Sequence, residues 1–239
     1  SEFSGDLRPL YRYEHMKGLF TGVFAIFWKD ILSELRTKEI ATSVLVFALL
    51  VVVIFNFAFE SGADTIGLVA PGILWVAFAF AGMLGLNRAF ATEKENSSLE
   101  GLMLCPVERH VIYLGKLAGS FTFMLIVEAI ITPIFLVLFN LPVCMPRLGI
   151  IIVLATLGFT SVGTLFSALS ANTKARDIML PILFLPIIVP VMIAAVKATG
   201  LVLDGGTWGD ISTWLQIIIA FDVIFLVVSL LVFEFVIEE

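Results

Sequence analysis

Six stretches of this chain are long and apolar enough to cross a bilayer, and they constrain the fold more than any other feature. They are residues 40–59, 66–87, 117–139, 148–173, 178–196 and 211–233. At a rise of 1.5 Å per residue, about 20 residues cover a hydrocarbon core of about 30 Å. Because lipid offers the backbone no hydrogen-bond partners, each stretch must be helical. We therefore predict an all-α membrane protein with six transmembrane helices.

The composition agrees with this fold class and excludes several functions. The chain is 60% hydrophobic and 14% charged, with a mean hydropathy of +1.08, whereas soluble domains are about 25% charged. A net charge of −6 argues against a nucleic-acid partner, which requires a clustered basic face. The two cysteines have no His or Cys beside them, so we expect no metal site. The sequence has no Walker A motif and no catalytic motif, so we do not expect an enzyme by itself.

The distribution of Lys and Arg sets the orientation in the membrane. With the amino terminus in the cytosol, only Arg147 and Lys197 of the fourteen Lys and Arg residues fall in outer loops. Cytosolic loops carry the excess of positive charge in membrane proteins. We therefore expect both termini in the cytosol, with Cys105 inside and Cys144 outside.

The first fifteen residues differ from the rest of the chain. Ser1–His15 is polar and has no sustained apolar period, and His15-Met16 is what a common cloning site encodes. We expect residues 1–15 to be an extension introduced in cloning, the alternative being a short native cytosolic tail. Residues 16–239 are then a single transmembrane domain.

An amphipathic helix is predicted over Phe20–Glu39, before the first span. Its apolar residues recur at helical spacing at Phe24, Phe27, Trp28, Ile31, Leu32 and Leu35. The charged side chains fall mostly on the other side, namely Lys29, Asp30, Glu34, Arg36 and Lys38. This pattern is typical of a helix in the inner membrane interface, a depth that suits Trp28. The alternative is a helix packed on a soluble partner.

A second short helix is predicted in the cytosolic loop between spans two and three. Ser97 and Glu100 have the spacing of a capping box, and Pro106 ends the helix. Leu99, Leu102 and Met103 share one face at i, i+3 and i+4. This apolar face either docks into a partner or lies on the membrane.

Two carboxylates and three prolines lie within predicted spans. Glu128 and Asp222 are each the twelfth residue of a 23-residue span, where an ionised carboxylate is costly. Each either makes an interhelical hydrogen bond or is a polar point on a path through the protein or on a subunit interface. Pro181, Pro186 and Pro190 predict that span five is kinked or broken.

The central loop resembles the cytosolic loop of type-2 ABC exporter permeases, which couples those proteins to an ATPase subunit. The resemblance lies in Glu93 to Arg109 followed by Tyr113-Leu114-Gly115-Lys116. The coupling residues it implies are Glu93, Glu95, Ser97, Leu99, Glu100, Leu102, Met103, Pro106 and Arg109. Within that group the chain is most similar to the haem exporter protein B family (CcmB) of cytochrome c maturation. Three blocks carry this similarity: Phe27–Glu39, including Phe27, Trp28, Arg36 and Glu39; Gly85–Lys116; and Gly163–Lys197.

This resemblance implies a permease subunit in the bacterial inner membrane that works in haem export or haem-chaperone release. Its implied partners are a CcmA-like ATPase that binds ATP, a second copy of itself, CcmC- and CcmD-like membrane subunits and, indirectly, a periplasmic haem chaperone. Haem is then the handled ligand, although no outer His or Trp-rich outer loop suggests that this chain binds it directly. The alternatives are a permease of another type-2 ABC exporter, for drugs or lipids, and a membrane scaffold without transport activity.

Overall fold

A computed structural model describes residues 20–33, 39–59, 63–95, 109–141, 145–171 and 176–236, and these contain seven helices and no strand. The first helix, α1, covers residues 20–33. It is followed by α2 (Glu39–Ala58), α3 (Ala63–Glu95), α4 (Arg109–Leu138), α5 (Met145–Ala171), α6 (Arg176–Leu203) and α7 (Trp208–Val236). Helices α2 to α7 are each long and apolar enough to cross a membrane. The prediction of an all-α protein with six spans is therefore confirmed.

Two helices extend beyond the predicted spans, over charged residues that were assigned to loops. Helix α4 begins at Arg109, ahead of residue 117, and α6 extends to Leu203, past residue 196. Lys116 and Lys197 are therefore helical. A helix can continue across a bilayer edge because long basic side chains reach polar surroundings there. The predicted helix Phe20–Glu39 is described only over residues 20–33 and at Glu39, where α2 begins.

Helix α5 is the centre of the bundle and packs against α3, α4, α6 and α7. Its span is 72% buried, compared with 17% for α2 and 22% for α7, which lie at the outside. Small residues permit this central position because they let neighbouring helices approach closely. At Gly163, for example, an added Cβ would collide with Leu86 of α3.

The turn between α6 and α7 is defined by local hydrogen bonds. Gly205 has a φ of +82°, which ends α6 in the left-handed region that favours glycine. The Gly206 amide then donates to the Leu201 carbonyl at 2.7 Å. Helix α7 begins with a cap in which the Thr207 amide and hydroxyl both donate to one carboxylate oxygen of Asp210, at 2.7 and 2.8 Å. The two helices are thus joined by a short, ordered turn.

Arg147, near the start of α5, ties this turn to the central helix. Its guanidinium donates to the Gly206 carbonyl and lies 5.8 Å from the ring centroid of Trp208. A cation at that distance is attracted by an indole ring. The adjacent ends of α5, α6 and α7 are therefore held together.

Helix α6 runs without interruption through its three prolines. Pro181, Pro186 and Pro190 all lie inside Arg176–Leu203, so the alternative of a broken helix is wrong, while the kink stays a prediction. Pro71 and Pro133 also lie inside helices, α3 and α4. Such prolines are tolerated in membrane helices where neighbouring groups satisfy the freed carbonyls.

Candidate functional site

Helix α1 packs closely on the amino-terminal part of α4, where two glycines make room for it. A Cβ added at Gly115 would lie 2.7 Å from the Ile26 Cβ and 3.3 Å from the Val23 carbonyl oxygen. A Cβ added at Gly119 would lie 3.3 Å from the Asp30 Cβ. The GxxxG spacing of these glycines thus forms the contact with α1, and such spacing permits close helix packing.

An ion pair lies between the two glycine contacts. The Lys116 ammonium is 3.0 Å from Asp30 Oδ2 and donates to Oδ1 at 3.1 Å. Lys116 is only 3% exposed, and the Asp30 side chain is 21% exposed, with the Lys29 ammonium 3.4 Å from its Oδ1. Burial makes each charge depend on its partner, because neither is fully solvated.

The structure shows what the charged side of α1 contacts. The sequence placed Asp30 among the charged residues that fall mostly on the side away from the apolar residues, and its carboxylate faces α4. Ile26 is the buried apolar residue of α1, whereas Phe24 and Trp28 stack on each other and are 62% and 52% exposed. Of the remaining interfacial candidates, Phe27 is half-buried and Glu39 is the first residue of α2, while Arg36 lies outside the described residues.

Beside the α1–α4 contact lies an apolar groove of about 520 Å³. Phe20 and Val23 line it from α1, and Leu114, Leu117 and Phe121 line it from α4. These four-residue and three-residue spacings on α4 place its lining residues on one face of the helix. Leu157 of α5 also lines the groove, which is thus bounded by apolar side chains of three helices.

The predicted coupling residues lie mostly in residues 96–108, outside the described part of the chain. Those residues are Ser97, Leu99, Glu100, Leu102, Met103 and Pro106. Glu93 and Glu95 lie at the carboxyl end of α3, and Arg109 is the first residue of α4. Residues 96–108 thus lie between α3 and α4, and α4 carries Lys116, which pairs with Asp30 of α1.

Glu128 is held by a neighbouring helix. It is 2% exposed, and both carboxylate oxygens lie 2.8 Å from the Thr156 hydroxyl of α5, which donates to them. The nearby Thr132 hydroxyl on α4 is also buried and has no hydrogen-bond partner in the part of the chain that the structure describes. Glu128 therefore makes the interhelical hydrogen bond that was one of its two predicted roles.

Asp222 has a different environment, although the sequence treated the two carboxylates alike. It is 6% exposed, and neither carboxylate oxygen has a hydrogen-bond partner among the described residues. Oδ1 lies against Gly158 of α5, so close that an added Cβ would collide with it. The absent side chain of Gly158 thus leaves the hollow in which this carboxyl group lies.

Several residues that join α4, α5 and α7 were not predicted from the sequence. Tyr113 is fully buried, and its hydroxyl is 2.9 Å from the Ser161 Oγ and 3.1 Å from the Ser161 carbonyl oxygen. Its ring packs on Phe233 with centroids 5.2 Å apart. The sequence did contain one signal for this contact, a tyrosine two residues before the Gly115–Gly119 motif. A buried tyrosine hydroxyl requires a hydrogen-bond partner, so it would have predicted a polar contact here.

We expect Thr156→Val to destabilise the protein by about 1–2 kcal/mol, because a buried carboxyl group loses its hydrogen-bond donor. Thr164→Val on the same helix is the matched control. The Thr164 hydroxyl is buried without a partner in the described chain, so its loss should be neutral or stabilising. Unfolding in mixed micelles measures both variants, and equal effects would contradict the assigned role of Thr156.

Comparison with known proteins places the chain in a family. A family model described as "CcmB protein" matches residues 21–238. "Heme exporter protein B" of Pseudomonas aeruginosa is 28% identical over 171 residues, which cover 71% of this chain and 76% of that protein. The protein of the same name from Rhodobacter capsulatus is 30% identical over 150 residues (62% and 69%), and that from Escherichia coli K12 is 30% identical over 181 residues (72% and 81%). Because the family model spans nearly all of the sequence, the chain belongs to the CcmB family.

Proposed function

We propose that this chain is the membrane permease subunit of an ABC transporter that serves haem export in the maturation of c-type cytochromes. The observation that carries the proposal is the family match over residues 21–238, together with six helices long enough to span. The relatives are named "Heme exporter protein B" and are matched over about 69–81% of their length. Haem is then the handled ligand, and the chain itself has no catalytic role.

The proposed complex contains a cytosolic CcmA-like ATPase, a second copy of this chain and CcmC- and CcmD-like subunits. The excess of Lys and Arg in the predicted cytosolic segments supports an inner-membrane orientation with both termini inside. That orientation puts the loop between α3 and α4 in the cytosol, where an ATPase can reach it. ATP would be bound by that partner, and haem would pass to a periplasmic chaperone through the assembled complex.

The acidic residues of the loop provide the test of ATPase docking. Reversing the charge of Glu93, Glu95 and Glu100 together should weaken ATPase binding by about tenfold or more, because like charges then oppose at the interface. Co-purification of the ATPase with the permease in detergent measures the effect. Asp204→Lys is the matched control, since Asp204 is an exposed acid in the α6–α7 turn on the predicted outer side.

Three results would contradict the proposal in whole or in part. The loop variant could insert normally into the membrane and bind the ATPase at wild-type levels. That result would show that the loop is not part of the docking surface. Undiminished haem delivery to the periplasmic chaperone in cells that lack this chain would exclude the haem-linked function. Loss of ATPase binding with undiminished haem delivery would indicate an exporter for another substrate.

A further inference from the structure

We propose that Lys116 and Asp30 are positioning residues that make α1 and the cytosolic part of α4 one mechanical unit, so that α1 moves with α4 during the transport cycle. This inference rests on the proposed coupling function and adds to it the element that receives the movement. It assigns α1 a role in transmission rather than only in membrane anchoring.

Three contacts between the two helices carry the inference. Val23 and Ile26 meet Gly115, the Asp30 carboxylate meets the Lys116 ammonium, and the Asp30 side chain also meets Gly119. Both glycines lack room for an undisturbed Cβ, as the distances of 2.7 and 3.3 Å to α1 show. The contact therefore extends over a full turn of each helix, which is enough to fix their relative position.

The ion pair supplies what apolar packing alone does not, namely a fixed register. Helices that meet through glycines and aliphatic groups can slide, because dispersion contacts are replaced by similar ones. A shift of one residue moves a helix by about 1.5 Å, which would separate an ammonium from a carboxylate now at 3.0 Å. Buried ion pairs add little net stability compared with apolar packing, and fixing of register is their best-attested use.

The position of Lys116 in the chain connects this contact to the coupling loop. Helix α4 begins at Arg109, directly after residues 96–108, and Lys116 lies two turns into it. A displacement of the loop by an ATPase therefore reaches Lys116 through continuous helix. At Lys116 it passes to α1 across the ion pair.

The exposed side of α1 indicates which part of its surroundings the movement of α1 would affect. Phe20, Phe24 and Trp28 are 75%, 62% and 52% exposed, and aromatic side chains of this kind are enriched at the membrane interface. A helix that carries them at the inner interface moves against the lipid headgroups when α4 moves. Docking of the ATPase is thereby connected to the inner membrane surface beside the bundle.

The test replaces the ion pair by a bond that can be made and broken. Asp30→Cys and Gly119→Cys are combined with Lys116→Met, in a background with Cys105→Ser and Cys144→Ser. The Cβ positions at 30 and 119 are 3.3 Å apart, a few tenths of an ångström below the usual range of about 3.5–4.5 Å for a disulfide. Each single cysteine in the same background is the control for the oxidant.

ATP hydrolysis by the complete complex and haem delivery are measured in lipid nanodiscs, with ATPase binding recorded in parallel. We expect the reduced variant to bind the ATPase but to lose about fivefold or more of its permease-dependent ATP turnover and haem delivery. Oxidation should restore both, because the disulfide replaces the lost ion pair. The reductant should reverse the restoration.

Three outcomes would overturn the inference. These are full activity of the reduced variant, failure of oxidation to restore activity despite complete cross-linking, and failure of the cysteines to cross-link in membranes. Failure of the wild-type chain to bind any ATPase would instead overturn the proposed function. Cross-linking in membranes requires no partner, so it tests the α1–α4 contact in either case.

Discussion

Asp30→Ala is expected to lower the free energy of unfolding by about 3–5 kcal/mol, because it takes the carboxylate from a buried ammonium. Lys116 is 3% exposed, so its ammonium gains little hydration from water when the carboxylate is removed. Lys116→Met should cost less, because Asp30 is 21% exposed on its side chain and has Lys29 at 3.4 Å. We therefore expect Asp30→Ala to lower the free energy of unfolding more than Lys116→Met does. Denaturant titration in mixed micelles measures both losses.

The double variant provides the control for this asymmetry. Asp30→Ala combined with Lys116→Met removes both charges, so it should be more stable than Asp30→Ala alone. Removing one member of a buried pair strands a charge, whereas removing both does not. Equal losses from Asp30→Ala and Lys116→Met, or a double variant less stable than Asp30→Ala, would show that the ion pair is not buried as described.

Gly158→Ala is expected to destabilise the protein by about 1–3 kcal/mol, through overpacking at the centre of the bundle. The new methyl group would collide with Asp222 Oδ1 and lie 3.0 Å from the Phe221 ring. Aspartate has a short side chain and this one is buried, so it has little freedom to move away. Thermal unfolding of the purified chain measures the loss.

Gly149→Ala on the same helix is the matched control, since a Cβ there meets nothing within 4 Å. It should be neutral or stabilising by up to about 1 kcal/mol, because alanine has the higher helix propensity. In an Asp222→Ala background, Gly158→Ala should cost at least about 0.5 kcal/mol less, as expected for residues in contact. If the cost of Gly158→Ala is unchanged in that background, Asp222 does not lie in the hollow at Gly158.

The spans were predictable from the sequence because hydrocarbon selects for length and apolarity in each segment separately. The window 211–233, for example, is recognisable without knowledge of any neighbour, and α7 covers it. The beginning of α4 was not predictable in this way. Arg109 and Lys116 resemble loop residues by charge, and only packing of α1 on α4 makes Lys116 an interior residue.

The two intramembrane carboxylates show where sequence reasoning ends. Glu128 and Asp222 have the same depth by sequence, and an interhelical hydrogen bond was an open role for both. Their environments differ because α5 presents a different group to each carboxylate. Glu128 meets the hydroxyl of Thr156, whereas Asp222 meets Gly158, which has no side chain. Helix pairing and rotation fix these contacts, and the pattern along either helix alone contains no information about them.

The hollow at Gly158 also bears on the order in which the chain is made. Synthesis proceeds from the amino terminus, so α5 has left the ribosome before α7 is complete. A carboxyl group released into the bilayer on a newly made α7 would otherwise face acyl chains, at a cost of about 2.5–3.5 kcal/mol on translocon scales. The earlier helix carries no side chain at Gly158, so it leaves room for the carboxyl group of the later one when the two helices pack.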